Sequence, residues 1–278
     1  VERFSIPTGL AADVCTELGV AVPADRDGVD ALYAAWCSGF PFDPVAKAAA
    51  MVEDRVPPGA DAVEVAERWL DSGVGSTCWG QVAVLGAILE GAGVAVTVGL
   101  DRMLTDEIVD FHSFVVADVD GERLALDPVH PSGRPLPLAG GAVGDHGAYR
   151  AGFDDVDGRL EHWYEQPDSR HRSGRYAVLS TSLDPADTRA FLAVSAVHSG
   201  VGRRFFLRRC PPGAFVVTRP TEDGRSLGLT TWRDGEPSSA VITDLDEAIA
   251  AVGYRPAAID WLRRGALLDL DPAPRWAT

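Results

Sequence analysis

The chain has 278 residues and a formal net charge of −16, enough length for one large domain or two to three small ones. That charge argues against nucleic acid or an anionic membrane as partner, and no apolar run approaches the roughly 18–20 residues a membrane helix needs. Cysteines at 15, 37, 78 and 210 show no metal-type pairing, and Lys47 is the only lysine. Reduced thiols in the cytoplasm are expected, and a lysine nucleophile is not. The opening Val1-Glu2-Arg3-Phe4 also lacks the basic-then-apolar form of a signal peptide.

Residues 1 to about 90 read as helical. Pro7 to Leu18, Gly28 to Cys37, Pro44 to Asp54 and Ala60 to Asp71 form four predicted helices, with Pro57-Pro58-Gly59 breaking the run. Cys15 and Cys37 fall on apolar faces and read as core. A loop of small residues, Val74-Gly75-Ser76-Thr77, then leads into Cys78-Trp79-Gly80-Gln81 and an apolar stretch containing Val82, Val84, Leu85, Ile88 and Leu89. This fifth helix is expected to be buried nearly all round, with Ser76 or Thr77 as its cap. Cys78 then lies in the first turn, where unpaired N–H groups and the helix dipole favour a thiolate.

Val94 to Leu100 alternates as a strand. After an acidic loop, His112 to Asp118 and Arg123 to Leu126 flank Asp120-Gly121, the strongest short-range hairpin signal in the chain. With a two-residue turn, Val119 pairs with Glu122 and Phe114 lies opposite Asp127. His112, two residues from Phe114, then shares its face and sits diagonal to Asp127, about 7–8 Å away at Cα. A thiol at a helix start, an imidazole and a carboxylate, in that chain order, form the set a cysteine nucleophile needs. The imidazole takes the thiol proton, the carboxylate fixes the ring's tautomer, and helix-start amides hold an oxyanion. His130, between two prolines and three residues past Asp127, is the main rival for the base, while His146, His162, His171 and His198 are weaker ones. No two histidines stand at ligand spacing with a carboxylate, so no metal is expected.

Farther on, residues 138–147 are glycine-rich without a phosphate-binding ending and read as a flexible loop. Gly158 to Glu165 reads as an antiparallel strand with an exposed edge, and Asp168 to Gly174 as a polar turn. Pro185 to Ser195 reads as a short helix. Arg203 to Cys210 follows as a strand with basic ends, the one local cluster that could meet an acidic partner. Strands at Phe215 to Thr218 and Leu227 to Trp232 are split by Asp223-Gly224, and Asp244 to Val252 is a helix ending at Gly253.

Residues 74–80, 112 and 127 resemble the arylamine N-acetyltransferases, which share a papain-like Cys-His-Asp core with transglutaminases. Cys78, His112 and Asp127 fall on the family's nucleophile, histidine and aspartate. Ala31 to Trp36, followed by Phe40-Pro41-Phe42-Asp43, resembles the family's second helix and its Pro-Phe motif. The basic strand, Asp-Gly turns and closing helix of the tail resemble its third domain. Two departures stand out. The family pattern Arg-Gly-Gly-x-Cys-x-Glu is replaced by Val74 to Gly80, without the arginine and glutamate, and Pro128-Val129-His130-Pro131 replaces a glycine-bearing turn after the aspartate. Apolar packing of Val74 and Trp79 is therefore expected to position the nucleophile loop.

The resemblance implies an α+β fold with a papain-like cysteine core. An N-terminal helical bundle (1–91) carries the nucleophile, a central antiparallel β-barrel-like domain (92–200) carries His112 and Asp127, and a small C-terminal α/β lid (201–278) completes it. It also implies acyl transfer through a thioester on Cys78, from a coenzyme A or carrier-protein thioester to an amine, with no permanently bound cofactor. Phe42, Trp79, Phe114 and His130 are the expected substrate-lining residues. The altered flanks suggest a specialised amide synthase of secondary metabolism. A transglutaminase-like hydrolase or cyclase, and a degenerate binding module, are the alternatives.

Overall fold

The computed structural model describes residues 5–53, 61–104, 111–167, 173–183, 187–188, 190–192, 195, 206–221 and 226–264. Five helices precede the first strand: α1 (Thr8–Glu17), α2 (Arg26–Gly39), α3 (Val45–Val52), α4 (Ala62–Ser72) and α5 (Cys78–Gly91). Their ends follow local chemistry. Asp25 accepts a hydrogen bond from Gly28 N to start α2, and Asp61 accepts from Val63 N and Glu64 N to start α4. Gly73, at φ 75°, ends α4 in the left-handed conformation and turns the chain toward the loop 74–77. Every residue of α5 from Cys78 to Leu89 is buried, as the unbroken apolar run implied.

Eight antiparallel strands follow: β1 (Ala95–Met103), β2 (Phe111–Val119), β3 (Glu122–Leu126), β4 (Leu136–Pro137), β5 (Ala142–His146), β6 (Tyr149–Val156), β7 (Arg159–Glu165) and β8 (Ser173–Leu183). They order as β4-β3-β2-β1-β8-β7-β6-β5. The two edges meet, because Arg134 Nη2 donates to Val143 O at 3.0 Å, and a Cβ on Gly144 would lie 2.4 Å from Ser132 O. The sheet therefore rolls into a nearly closed barrel and leaves little free edge.

The β2–β3 hairpin has the expected register, Val119 opposite Glu122, with Asp120 (φ 53°) and Gly121 (φ 79°) in the turn. Along β2, Val115 and Ala117 join the core against α1, α2, α4 and α5, whereas Phe114 and Val116 point into the barrel with Ala125, Leu136 and Phe153. Both faces are covered, so β2 reads as a continuous apolar run.

A second sheet, ordered β12-β11-β10-β9, contains β9 (Leu207–Arg209), β10 (Ala214–Pro220), β11 (Leu227–Arg233) and β12 (Glu236–Ile242). With α6 (Leu245–Ala251) and α7 (Ala258–Arg264) it forms a cluster of Leu207, Leu227, Ile242, Ile249, Tyr254 and Leu262 that also takes in Val45, Ala48 and Val74. The C-terminal segment thus packs directly on α3 and on Val74 of the loop before α5.

Two expectations are corrected. Half of the glycine-rich stretch is strand β5, and its glycines serve close chain contact: a Cβ on Gly140 would lie 2.7 Å from Asp155 N. Strand β7 is not an exposed edge but lies between β6 and β8, with Glu161 and His162 buried. Strands β6 and β12 and helix α7 were not separately resolved from the pattern. His171, His198, Arg203, Arg204 and the Asp223-Gly224 turn lie outside the described residues.

Candidate active site

The loop 74–77 is short and tightly held. Phe42 makes backbone bridges to Ser76 on one side and to Arg208 of β9 on the other. Gly75 N donates to Asp43 Oδ2 at 2.7 Å, and a Cβ on Gly75 would lie 2.0 Å from Pro41 O. Gly75 O accepts from Arg68 Nη2 at 3.3 Å, and Gln81 Nε2 donates to Ser76 O at 3.0 Å. Gln81 Oε1 in turn accepts from Trp36 Nε1, and Asp43 Oδ2 also accepts from Tyr254 Oη.

Val74 and Trp79 are buried as expected, but apolar packing is not the whole support. Buried Asp43, Arg68 and Gln81 clamp the loop's backbone, and they were missed. Each left a trace: an acid directly after the Pro-Phe pair, an arginine on the apolar face of α4, and the lone polar residue before the apolar run of α5. The place of the missing glutamate is filled, since a Cβ on Gly80 would lie 2.1 Å from Ser76 Oγ and 3.1 Å from Val65 Cγ2.

Cys78 opens α5 and is 9 % exposed. Thr77 occupies the N-cap position but, against expectation, makes no side-chain cap. His112, from the start of β2, has Nε2 at 2.6 Å from Asp127 Oδ2, and the Cys78 side chain is among the groups that act on its ring. Because Nε2 serves the carboxylate, Nδ1 is left for the thiol. Asp127 is fixed by its backbone surroundings: Oδ1 accepts from Val129 N at 2.7 Å and from His130 N at 2.9 Å. The Pro128-Val129-His130 turn therefore acts as a cradle for the carboxylate. The structure brings Cys78, His112 and Asp127 together.

Electrostatics reinforce the pairing. Burial opposes charge on His112, but the Asp127 and Asp101 carboxylates outweigh it and hold the imidazolium well above the usual histidine range. Burial would raise the Asp127 carboxyl, yet the charge of His112 and the hydrogen bond it donates hold it far below the usual carboxylate range. A proton taken up by His112 is thus held against the Asp127 carboxylate.

His130 lies beside the triad with a different set of contacts. Its ring meets that of His112 edge-on at 4.8 Å, stacks on Tyr164 at 4.2 Å, and its Nδ1 is bonded to Tyr149 Oη. Burial pushes its pKa well below the ordinary value, against the pull of Asp127, so the ring is neutral. Burial also keeps Tyr149 a phenol, so this bond joins two neutral groups.

Phe42 packs near Phe206 at 5.5 Å, under the Arg208 guanidinium at 4.9 Å. Arg208 also lies over Tyr149 and donates to Val129 O, so the C-terminal sheet reaches the triad's surroundings. Trp79 Nε1 is buried with no partner among the described residues. Phe114 is fully enclosed in the barrel behind the triad, 6.1 Å from His162.

Sequence spacing gave no metal set, but folding gathers Asp101, His112 and His162, and also His112, Asp127 and His130, each with donor atoms within 4.8 Å. Most of these atoms already bond one another or Tyr149.

No protein-family model matches the chain, and no curated protein matches it in sequence. Solved structures do match. The arylamine N-acetyltransferase of Mycobacterium marinum superposes with a TM-score of 0.74 at 16% identity, covering 95% of this chain and 99% of that one. The same protein solved in complex with CoA gives 0.73 at 16% identity, over 93% and 97%. The arylamine N-acetyltransferase of Salmonella typhimurium gives 0.70 at 14% identity, over 89% and 90%. Nearly the whole chain therefore has the arylamine N-acetyltransferase fold.

Proposed function

We propose that this protein is a cysteine acyltransferase that moves an acyl group from a coenzyme A or carrier-protein thioester, through Cys78, to an amine. The observation that carries the reading is the buried Cys78–His112–Asp127 arrangement, set at a helix start in a fold whose solved relatives include one holding CoA. Residues 1–91 supply the nucleophile, 92–200 the base and its orienter, and 201–278 a lid that contributes Arg208. The four cysteines are all free thiols, which suits the cytoplasmic setting expected for such an enzyme.

In the first half-reaction the thiol proton passes to His112 Nδ1, and Cys78 Sγ attacks the thioester carbonyl. The oxyanion is held by first-turn N–H groups of α5. The carbon–sulfur bond to the donor breaks, and His112 returns the proton to the departing thiolate. In the second half, the amine attacks the Cys78 thioester, gives a proton to His112, and Cys78 leaves as the thiol's conjugate base. Asp127 keeps the imidazole in the one tautomer that serves both halves.

The finer part of the proposal is a specialised amide synthase of secondary metabolism that prefers an acyl group larger than acetyl. Val74 and Gly80 cannot form an ion pair, and Phe42, Trp79, His130 and Phe206 make an apolar and aromatic surround. Omitting a methylene in such a pocket forfeits about 1–3 kcal/mol, so selectivity over acetyl reaches about hundreds-fold for two or three carbons. Intact-mass analysis after a brief pulse with acetyl, butyryl and aromatic acyl thioesters tests it. Rapid stoichiometric acetylation of Cys78, followed by transfer to simple arylamines, would overturn the specialised reading. Thiol release that does not depend on added amine would replace transfer by hydrolysis.

A further inference from the structure

Behind Asp127 lies a second histidine–carboxylate pair that the steps above do not use. His162 Nδ1 is 2.9 Å from Asp101 Oδ2. Its Nε2 is 3.6 Å from Asp127 Oδ2, the oxygen that also meets His112 Nε2 at 2.6 Å. Asp101 stands directly opposite His112 in the β1–β2 register. The four side chains come from β1, β2, β7 and the turn after β3, and only the rolled barrel brings them together. Asp101 is 0% and His162 1% exposed.

The surroundings leave little else to balance the carboxylates. The polar groups facing His162 are Asp101 from β1, His112 from β2, Asp127 and His130 from the turn after β3, and Tyr176 from β8. Its ring stacks on Phe153 at 4.9 Å. Among the described residues, the ion-pair partners of Asp101 and Asp127 are histidines alone. His130 is neutral, as argued above. A carboxylate buried without a counter-charge is strongly disfavoured, and Asp101 Oδ1 has no hydrogen-bond partner among the described residues. The His162 ring spans the two carboxylates, with Nδ1 toward Asp101 and Nε2 toward Asp127.

We propose that Asp101 and His162 are positioning residues of the acyl-transfer site, with the His162 ring anchored on Asp101 and backing Asp127 Oδ2 in line with His112 Nε2. This rests on the reading of Cys78 as nucleophile. His112 gives up its proton to the departing donor thiolate, and Asp127 then loses its counter-charge. The His162 ring, anchored on Asp101, keeps the Asp127 carboxylate in place until the amine's proton arrives. The Asp101 carboxylate serves both rings, as the partner of His162 and as the negative charge opposite His112.

The test uses the full chain with Asp101→Asn, His162→Gln and His162→Phe, with kcat and KM for an acyl thioester and the pH dependence of kcat. Asp101→Asn is expected to lower kcat about 10- to 100-fold, the range that outer partners of metal-bound histidines carry, with KM nearly unchanged. Its alkaline limb should move to lower pH, because the His112 imidazolium loses a neighbouring negative charge. His162→Gln, which keeps one donor, should recover part of the rate lost in His162→Phe. Parent-like kcat and pH profile in Asp101→Asn would overturn the proposal. If His162→Phe does not fold, Asp101→Asn and His162→Gln decide alone. A Cys78→Ala protein that still turns over removes the nucleophile reading itself. An inactive Cys78→Ala beside an unaltered Asp101→Asn removes only this inference.

Discussion

Replacing Asp127 by asparagine separates orientation from packing at the triad. The carboxylate has two jobs: Oδ1 accepts from Val129 N and His130 N, and Oδ2 accepts from His112 Nε2. An amide can present its oxygen to only one of these sides. Facing the two backbone donors with the carbonyl keeps two hydrogen bonds, each worth about 1 kcal/mol net, whereas the flipped amide sets NH2 against two N–H groups. The first orientation is therefore favoured, and it points NH2 at His112 Nε2. That nitrogen must then accept, which moves the ring proton to Nδ1, the atom that should take the proton of Cys78. The fold survives while the base is blocked. A serine triad loses about 10⁴-fold from the equivalent change, so a loss of about 10³- to 10⁴-fold, or about 4–5.5 kcal/mol of barrier, is expected here. Thiol release from an acyl thioester measures it, with circular dichroism confirming the fold. A folded Asp127→Asn protein within about tenfold of the parent rate would refute the tautomer argument, since tenfold is only about 1.4 kcal/mol.

Iodoacetamide near neutral pH should label Cys78 far ahead of the other three thiols, read by peptide mass mapping. Burial raises Cys15 and pushes Cys37 and Cys210 up to about 12, so at pH 8 each of the latter two holds only about 10⁻⁴ of its population as thiolate. Preferential labelling of Cys37 or Cys210 would contradict that assignment. His112→Ala should abolish turnover, whereas His130→Ala, which removes a neutral ring bonded to Tyr149, should keep measurable activity. The reverse pattern in the same assay would move the base role to His130. Gly80→Ala puts a Cβ 2.1 Å from Ser76 Oγ and 2.9 Å from Ser76 Cβ. Overpacking at about 1–3 kcal/mol, less up to about 1 kcal/mol of helix propensity, should lower Tm by a few degrees. An unchanged melting curve would show that the loop yields freely.

The sequence by itself determined the elements whose signals are local. Asp120-Gly121 specifies a left-handed pair of residues and hence a two-residue turn, and that alone sets the register that puts His112 and Asp127 on one face. The unbroken apolar run after Cys78 specifies a helix buried on every side, and its first turn is where a cysteine gains most from free N–H groups. What lies far apart in sequence was decided only by the tertiary structure. Asp43, Arg68 and Tyr254 converge on the nucleophile loop because the C-terminal sheet packs on α3 and Val74. Arg208 reaches the triad's surroundings because Phe42 pairs with β9. Residues 142–146 become a strand because closing the barrel brings them against Ser132 and β6, although their glycines read locally as a loop. His162 looked like one more polar residue on an alternating strand. Rolling an eight-stranded sheet turned that face inward and set its ring between Asp101 and Asp127, since strand periodicity fixes which residues share a face but only closure decides which face is the interior.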